Sequence, residues 1–326
     1  MEIEVAAGLR GAKQKAWETL LASCGLSSDE QVERTVLLWD GDRLAATGSR
    51  QRNVLKCIAV DPAYQGEGLM ATLITHLRQD AFDAGESHLF LYTKPSNRFQ
   101  FQSLFFYPIV QTENVLLMEN RKNGVHSFLE NLPVVHKGEK IGACVMNCNP
   151  FTLGHRHLIQ EAAKACDWVY VFVLSEDASR FSAADRLNMV RLGTEDLSNV
   201  TVYPTGPYLI SSATFPTYFL KDREQAGTVY CQLDMEVFLT YFVPRFSITH
   251  RYVGTEPLSP MTSLYNASLK DCLPNRGVCL REIPRLESGG VPISATTVRA
   301  LLDAGEREAL EKLLPQTTIA YLQEHR

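Results

Sequence analysis

The sequence predicts an α/β protein of two domains, an α+β domain in front and a doubly wound domain with a parallel sheet behind. Three observations carry this. The chain has 326 residues, more than one domain of the usual roughly 100–200 residues needs. An Asp-Gly hairpin signal at Asp40-Gly41 is followed by a strand, a glycine-bearing turn and a helix pattern. Further along, an apolar run at 141–146, a polar loop, an amphipathic helix pattern and a second apolar run at 168–174 form a β-loop-α-β unit.

Composition limits what such a protein does. Apolar residues make up 45% and charged residues 21%, which excludes collagen-like and largely disordered chains. Lys plus Arg number 32 against 37 Asp plus Glu, a net charge of −5. No global basic field exists to hold a nucleic-acid backbone, so any anion must be caught locally. Met1 to Arg10 carries Glu2 and Glu4 and no signal-like apolar run, and no later stretch reaches the roughly 18 apolar residues of a membrane helix. A cytoplasmic location is expected. The eight cysteines are far apart and are expected as reduced packing residues. Cys144 and Cys148 stand close, but no second Cys or His pair follows at zinc spacing, so no protein-held metal is expected.

In the front half, a helix is expected around Gln14 to Cys24, then strands at Val36 to Trp39 and Leu44 to Gly48 joined through Asp40-Gly41-Asp42. A third strand, Val54 to Val60, ends at Asp61-Pro62. Leu69, Leu73 and Leu77 then recur at helical spacing. The turn Gln65-Gly66-Glu67-Gly68 opens that helix, where free backbone N–H groups and a positive dipole end attract an anion. Gly66, Gly68 and Ala71 also fit a dinucleotide pattern, with Glu86 at the distance of a ribose contact. Asp61 to Gln65 intervene after the strand, and a hairpin precedes it, which argues against that reading. Gln65 and Gly68 instead resemble the pyrophosphate loop of the Gcn5-related acetyltransferases, with Met70 at that pattern's small-residue position. The strand expected at Ser87 to Thr93, then Asn97 and the aromatic stretch Phe99 to Tyr107, extend the resemblance over about residues 1–132. It implies a pocket for a coenzyme-A-like arm at Gln65, Gly66, Gly68 and Asn97.

The segment around Asn131 to Lys140 reads as a linker, so the second domain is expected at 133–326. Ile141 to Met146 reads as a buried strand. Asn147 to His155 follow as a loop, and Leu158, Ile159, Ala162, Ala163 and Cys166 form one face of a helix. A glycine at 154 would admit an anion against the backbone, the helix end would attract it, and His155 stands at that end. Asn147, Asn149 and Thr152 offer amide and hydroxyl groups in the same loop. Thr152-Leu153-Gly154-His155 in this setting resembles the signature of the nucleotidyltransferase-like superfamily, which implies a Rossmann-like fold. Ile293-Ser294-Ala295-Thr296-Thr297-Val298-Arg299 resembles its second element, with Ala295 replacing a serine. Ser294 is an N-cap and Gly305 a helix stop. Ser294, Thr296, Thr297 and Arg299 are expected to hold the β- and γ-phosphates. Ser182 and Asp185 read as a helix start, Asp234 as a residue on a helix, and Arg251 to Pro257 as a strand ending in a ligand-side loop, with Gly254, Thr255 and Glu256 near the nucleotide.

Taken whole, the chain resembles the citrate lyase ligase family. The stretches carrying this are Val145 to Arg156, Ser211 to Lys221 and Tyr252 to Pro257. The resemblance implies an acid–thiol ligase. ATP, with Mg²⁺, activates acetate as acetyl-AMP, and the acetyl group passes to the thiol of a coenzyme-A-like group on the acyl carrier subunit of citrate lyase. Neither nucleic acid nor membrane is expected as a partner. His155 with Asn147, Asn149 and Thr152 is the expected catalytic set, and Lys221 is a candidate counter-ion for acetate on charge alone. Two other classes stay open: a nucleotidyltransferase adenylylating a phosphorylated small molecule, and an acetyl-coenzyme-A-dependent acetyltransferase or acyl-coenzyme A sensor.

Overall fold

Asp40-Gly41-Asp42 turns the chain tightly enough that Asp40 pairs with Arg43, joining β2 (Arg34–Asp40) to β3 (Arg43–Gln51) as an antiparallel hairpin. The computed structural model describes residues 1–29, 31–176, 179–209, 215–220, 225–256 and 259–325. Two compact units form: Met1–Gly124 with Pro216–Val229, and Val125–Phe215 with Tyr230–Arg326.

The first unit is a seven-stranded sheet in the order β1-β2-β3-β4-β5-β7-β6. The hairpin is flanked by β1 (Glu2–Ala6), which precedes α1 (Gly11–Ser23), and by β4 (Val54–Val60). After α2 (Leu69–Asp83) come β5 (Phe90–Thr93), the short α3 (Arg98–Gln102), β6 (Tyr107–Gln111) and β7 (Leu116–Glu119). Leu69, Leu73, Ile74, Leu77 and Ala81 bury one face of α2. The helix lies so close to β3 that a Cβ at Gly48 would stand 2.8 Å from Leu77 Cδ1. Only β4 and β5 run parallel, and they register only at Val54–Phe90 and Leu55–Leu91. Beyond those pairs Ile58 to Val60 and Leu91 to Thr93 line a cavity of about 720 Å³.

Helix α4 (Gly124–Glu130) starts at the boundary and lies in the second unit from Val125 on, and the expected linker at 131–140 lies inside that unit. Its five-stranded sheet has the order β10-β9-β8-β11-β12, parallel throughout. The strands and helices follow as β8 (Ile141–Met146), α5 (Leu153–Ala165), β9 (Trp168–Val173), α6 (Ala183–Leu192) and β10 (Val200–Pro204). Then come α7 (Ala226–Val237), which crosses the unit boundary, α8 (Val243–Phe246), β11 (His250–Gly254), α9 (Pro260–Cys272) and β12 (Cys279–Ile283). A two-stranded ribbon of β13 (Glu287–Ser288) and β14 (Val291–Pro292) leads into α10 (Ala295–Ala304), α11 (Arg307–Glu311) and α12 (Gln316–Glu324). Strand β8 is apolar throughout and buried at five of its six positions, as a strand inside a parallel sheet is. Ser182 caps α6, and Asp185 accepts the Tyr321 hydroxyl at 2.8 Å, so this acid is structural.

All eight cysteines are free, and five are buried. No helix among the described residues is long and apolar enough to cross a membrane.

Candidate active site

A strand that feeds a helix across a parallel sheet leaves the helix N-terminus at the sheet's carboxyl edge, with backbone N–H groups unpaired. In the second unit the N-termini of α5, α9 and α10 border one cavity of about 730 Å³. The two sequence elements meet there. A Cβ on Gly154 would lie 3.4 Å from the Ile293 carbonyl oxygen, so the α5 start stands within van der Waals reach of the backbone that enters α10.

His155 is set by Thr152, the N-cap of α5. The Thr152 hydroxyl accepts from the His155 amide at 3.3 Å, and the Thr152 amide donates to His155 Nδ1 at 3.1 Å. Nδ1 is therefore an acceptor and Nε2 carries the proton. The ring lies parallel to Phe151, centroids 6.0 Å apart. Burial, with the Arg285 guanidinium adding to it, pushes His155 down to about 4. At neutral pH it is an uncharged N–H donor lining the cavity. Ser294 caps α10 by accepting from the Thr297 amide at 3.1 Å, and Thr297 Oγ1 lies 2.8 Å from it. Gly305 closes that helix in the left-handed conformation, as expected.

Thr152, Gly154, His155, Gly254, Glu256, Ser294, Thr296 and Thr297 line the cavity. Asn147, Asn149, Thr255 and Arg299 do not, and their polar groups are engaged elsewhere. The Asn147 amide meets Ser179 and accepts from Arg186 at 2.6 Å. Asn149 Oδ1 accepts from the Phe181 amide. The Thr255 hydroxyl accepts from the Arg285 amide. Arg299, read from sequence as a phosphate ligand, reaches the Asn149 carbonyl at 2.7 Å and Thr296 Oγ1 at 3.0 Å, tying the two motif elements together. These bonds satisfy backbone N–H and C=O groups of the loops that surround the cavity. Lys221 and Ser211 to Thr214 lie outside the described residues.

No motif marks Arg186 or Arg285. Arg186 is fully buried and donates to the carbonyls of Asn147, Leu174, Glu176 and Phe181. Arg285 pairs with Glu256 and donates to the Thr255 carbonyl at 2.8 Å. Ser259, capping α9 ahead of Pro260, was detectable as a Ser-Pro helix start.

In the first unit Gln65, Gly66, Gly68 and Asn97 line the 720 Å³ cavity. Gly68 takes a left-handed conformation at the start of α2. Met70 lines the cavity while packing against the core. Tyr218 and Phe219 form another wall, with the Tyr218 hydroxyl donating to the Tyr92 carbonyl at 3.0 Å.

Residues 141–322 match the family model described as the citrate lyase ligase C-terminal domain, and residues 10–107 match the acetyltransferase (GNAT) family. The citrate (pro-3S)-lyase ligase of Klebsiella pneumoniae is 41% identical over 316 residues, 95% of this chain and 92% of that protein. The chain belongs to the citrate lyase ligase family. The Escherichia coli (strain K12) citrate lyase ligase is 40% identical over 305 residues, 91% of this chain and 87% of its own. The solved structures include Escherichia coli ElaA, with 16% identity and a TM-score of 0.34 over 37% of this chain and 99% of that one. They also include Thermotoga maritima TmcAL bound with alpha-thio ATP, with 13% identity and a TM-score of 0.36 over 57% of this chain and 55% of that one. Within the citrate lyase ligase family this chain is an α/β protein with a GNAT-like unit and a second unit built on a parallel sheet.

Proposed function

We propose that this chain condenses ATP and acetate to acetyl-AMP with release of pyrophosphate, and passes the acetyl group to the thiol of a coenzyme-A-like group on the acyl carrier subunit of citrate lyase. The observation that supports this best is the meeting of the α5, α9 and α10 N-termini around His155 in one cavity. Attack by a carboxylate oxygen on an α-phosphorus needs positioning and charge stabilisation and no covalent nucleophile from the protein. His155 Nε2–H donates to the α-phosphate oxygen as its charge grows, and Thr152 fixes the tautomer that makes this possible. Gly154 lets the phosphate approach, and the first-turn amides of α10, with the Thr296 and Thr297 hydroxyls, hold the leaving pyrophosphate. Asn147, Asn149 and Arg299 position the loop. Mg²⁺ enters with the nucleotide as MgATP. Among the described residues no group of acids, histidines or cysteines is arranged to hold a metal. In the first unit, the turn Gln65 to Gly68 and Asn97 receive the coenzyme-A-like arm.

The test is acetate-dependent exchange of pyrophosphate into ATP. His155→Ala is expected to slow exchange by roughly 100- to 1000-fold, the scale of losing one transition-state donor. Near-normal exchange in that variant, or exchange that ignores acetate, overturns the reading.

A further inference from the structure

A guanidinium buried without partners is costly enough that its presence asks for a ligand. Arg251 is such a group. It sits in β11 between two other strands, registered with Ala143 of β8 and Leu280 of β12, and is 2% exposed. Neither Nε nor Nη1 has a hydrogen-bond partner among the described residues. The Phe238 ring lies 4.6 Å away and favours a cation without accepting its N–H groups in the plane. Asp234 of α7 does not fill the gap as an acceptor for them, and it takes the Tyr265 hydroxyl at 2.5 Å.

Arg251 also lines the cavity that holds His155. Alternation along β11 sends Tyr252 to the α5 side, where its hydroxyl meets Cys166 Sγ at 3.3 Å, and sends Arg251 with Val253 to the opposite face. The strand ends at Gly254, so the Arg251 backbone lies three residues, roughly 10 Å, below the edge where the helix N-termini gather. Apolar Val145, Met146 and Val253 line the same cavity. We propose that Arg251 is the carboxylate-binding residue of this cavity, holding the small monocarboxylate that attacks the nucleotide, with its alkyl group against that apolar wall. The assignment rests on the acetate-activating reading above. It explains why one cavity contains two unlike anion sites: a rim of helix N-termini suited to phosphates, and a deeper cation beside apolar side chains, suited to a short carboxylate, the cavity's other arginine, Arg285, being paired with Glu256.

The experiment measures acetate-dependent pyrophosphate exchange in the full chain and in Arg251→Met and Arg251→Lys, reading the KM for acetate, the KM for ATP and kcat separately. Losing hydrogen bonds to a charged partner is expected to raise the acetate KM by on the order of ten- to a hundredfold in Arg251→Met, less in Arg251→Lys, with the ATP KM within about twofold. An unchanged acetate KM, or an ATP KM that rises in step, overturns the assignment. Should either variant fail to fold, the unaltered protein decides. With a non-hydrolysable ATP analogue present, acetate is expected to raise the thermal midpoint and acetamide, its neutral isostere, is not, while equal effects overturn the assignment. If the unaltered protein shows no acetate-dependent exchange, the ligase reading itself has failed. If it does and the variants keep their acetate KM, Arg251 alone is wrong.

Discussion

The protonation of His155 ties one residue to both stability and chemistry. Its folded value of about 4 lies below the ordinary 6.5, because burial and the nearby Arg285 penalise the imidazolium. Between those two values the unfolded chain binds more protons at this position than the folded one, so stability falls as pH is lowered from about 6.5 to about 4. Above 6.5 the ring is neutral in both states and contributes nothing to the slope. The contribution reaches up to about 3 kcal/mol at the acid end of that window. His155→Gln is expected to flatten the stability profile between pH 4 and 6.5 and to leave it unchanged above pH 7. Urea unfolding of both proteins at several pH values checks this, and parallel profiles would refute it. His155 was legible in the sequence because Thr152-Leu153-Gly154-His155 directly follows a buried apolar run. Arg251 was not, since an arginine in a β-rich stretch gives no sign of whether its partner is protein or ligand.

At the scale of elements, the regular parts were legible and the ties between them were not. The sequence predicted Val54–Val60 and Ile141–Met146 with the limits that the structure has, because continuous apolar runs bounded by Pro or polar loops leave one reading. Strand β1 went unread: Ile3 and Val5 alternate with acids on an edge and stay exposed, so no buried face announces it. Asn147 and Asn149 border the motif, and their long-range bonds to Arg186 and the Phe181 amide are ties that no local pattern shows. Arg186 makes that loop possible. It gathers carbonyls from the ends of β8 and β9 and from the start of α6, and its loss leaves several buried acceptors unpaired. Arg186→Met is expected to cost about 3–5 kcal/mol, each orphaned acceptor contributing about 1–3. Denaturant unfolding measures it, and a loss under about 1 kcal/mol would show that water replaces the arginine. Arg299→Lys tests the neighbouring tie between Asn149 and Thr296. Slower exchange with an unchanged ATP KM is expected if Arg299 aligns the two motif elements, whereas a large rise in ATP KM would make it a phosphate ligand after all.

For the molecule as a whole, the chain order and the folded units do not coincide. Pro216–Val229 lies deep in the second half of the sequence yet belongs to the first unit, where Tyr218 and Phe219 are buried. No local pattern reveals this, since a short aromatic segment looks the same whichever core it enters. The described part of this segment is held by more than packing: the Ser27 amide donates to the Tyr218 carbonyl at 2.9 Å, and the Tyr218 hydroxyl reaches Tyr92. A front domain cut from the chain as residues 1–132 therefore lacks part of its own wall. Burying a Tyr and a Phe side chain stabilises by about 1.5–3 kcal/mol each, so the fragment is expected to lose on the order of 3–6 kcal/mol, a large share of the 5–15 typical of a domain. Trp17 and Trp39 report on the first unit and Trp168 on the second, so Trp168→Phe isolates the first unit's urea transition by fluorescence in the full chain. The fragment is expected to unfold at markedly lower urea than that transition, and the Tyr218→Ala/Phe219→Ala pair in the full chain is expected to shift it the same way. Loss of the second unit alone would lower the fragment but not the double variant. A fragment and a double variant that both match the full chain would mean that the wall is dispensable and that the first 132 residues are a self-sufficient fold.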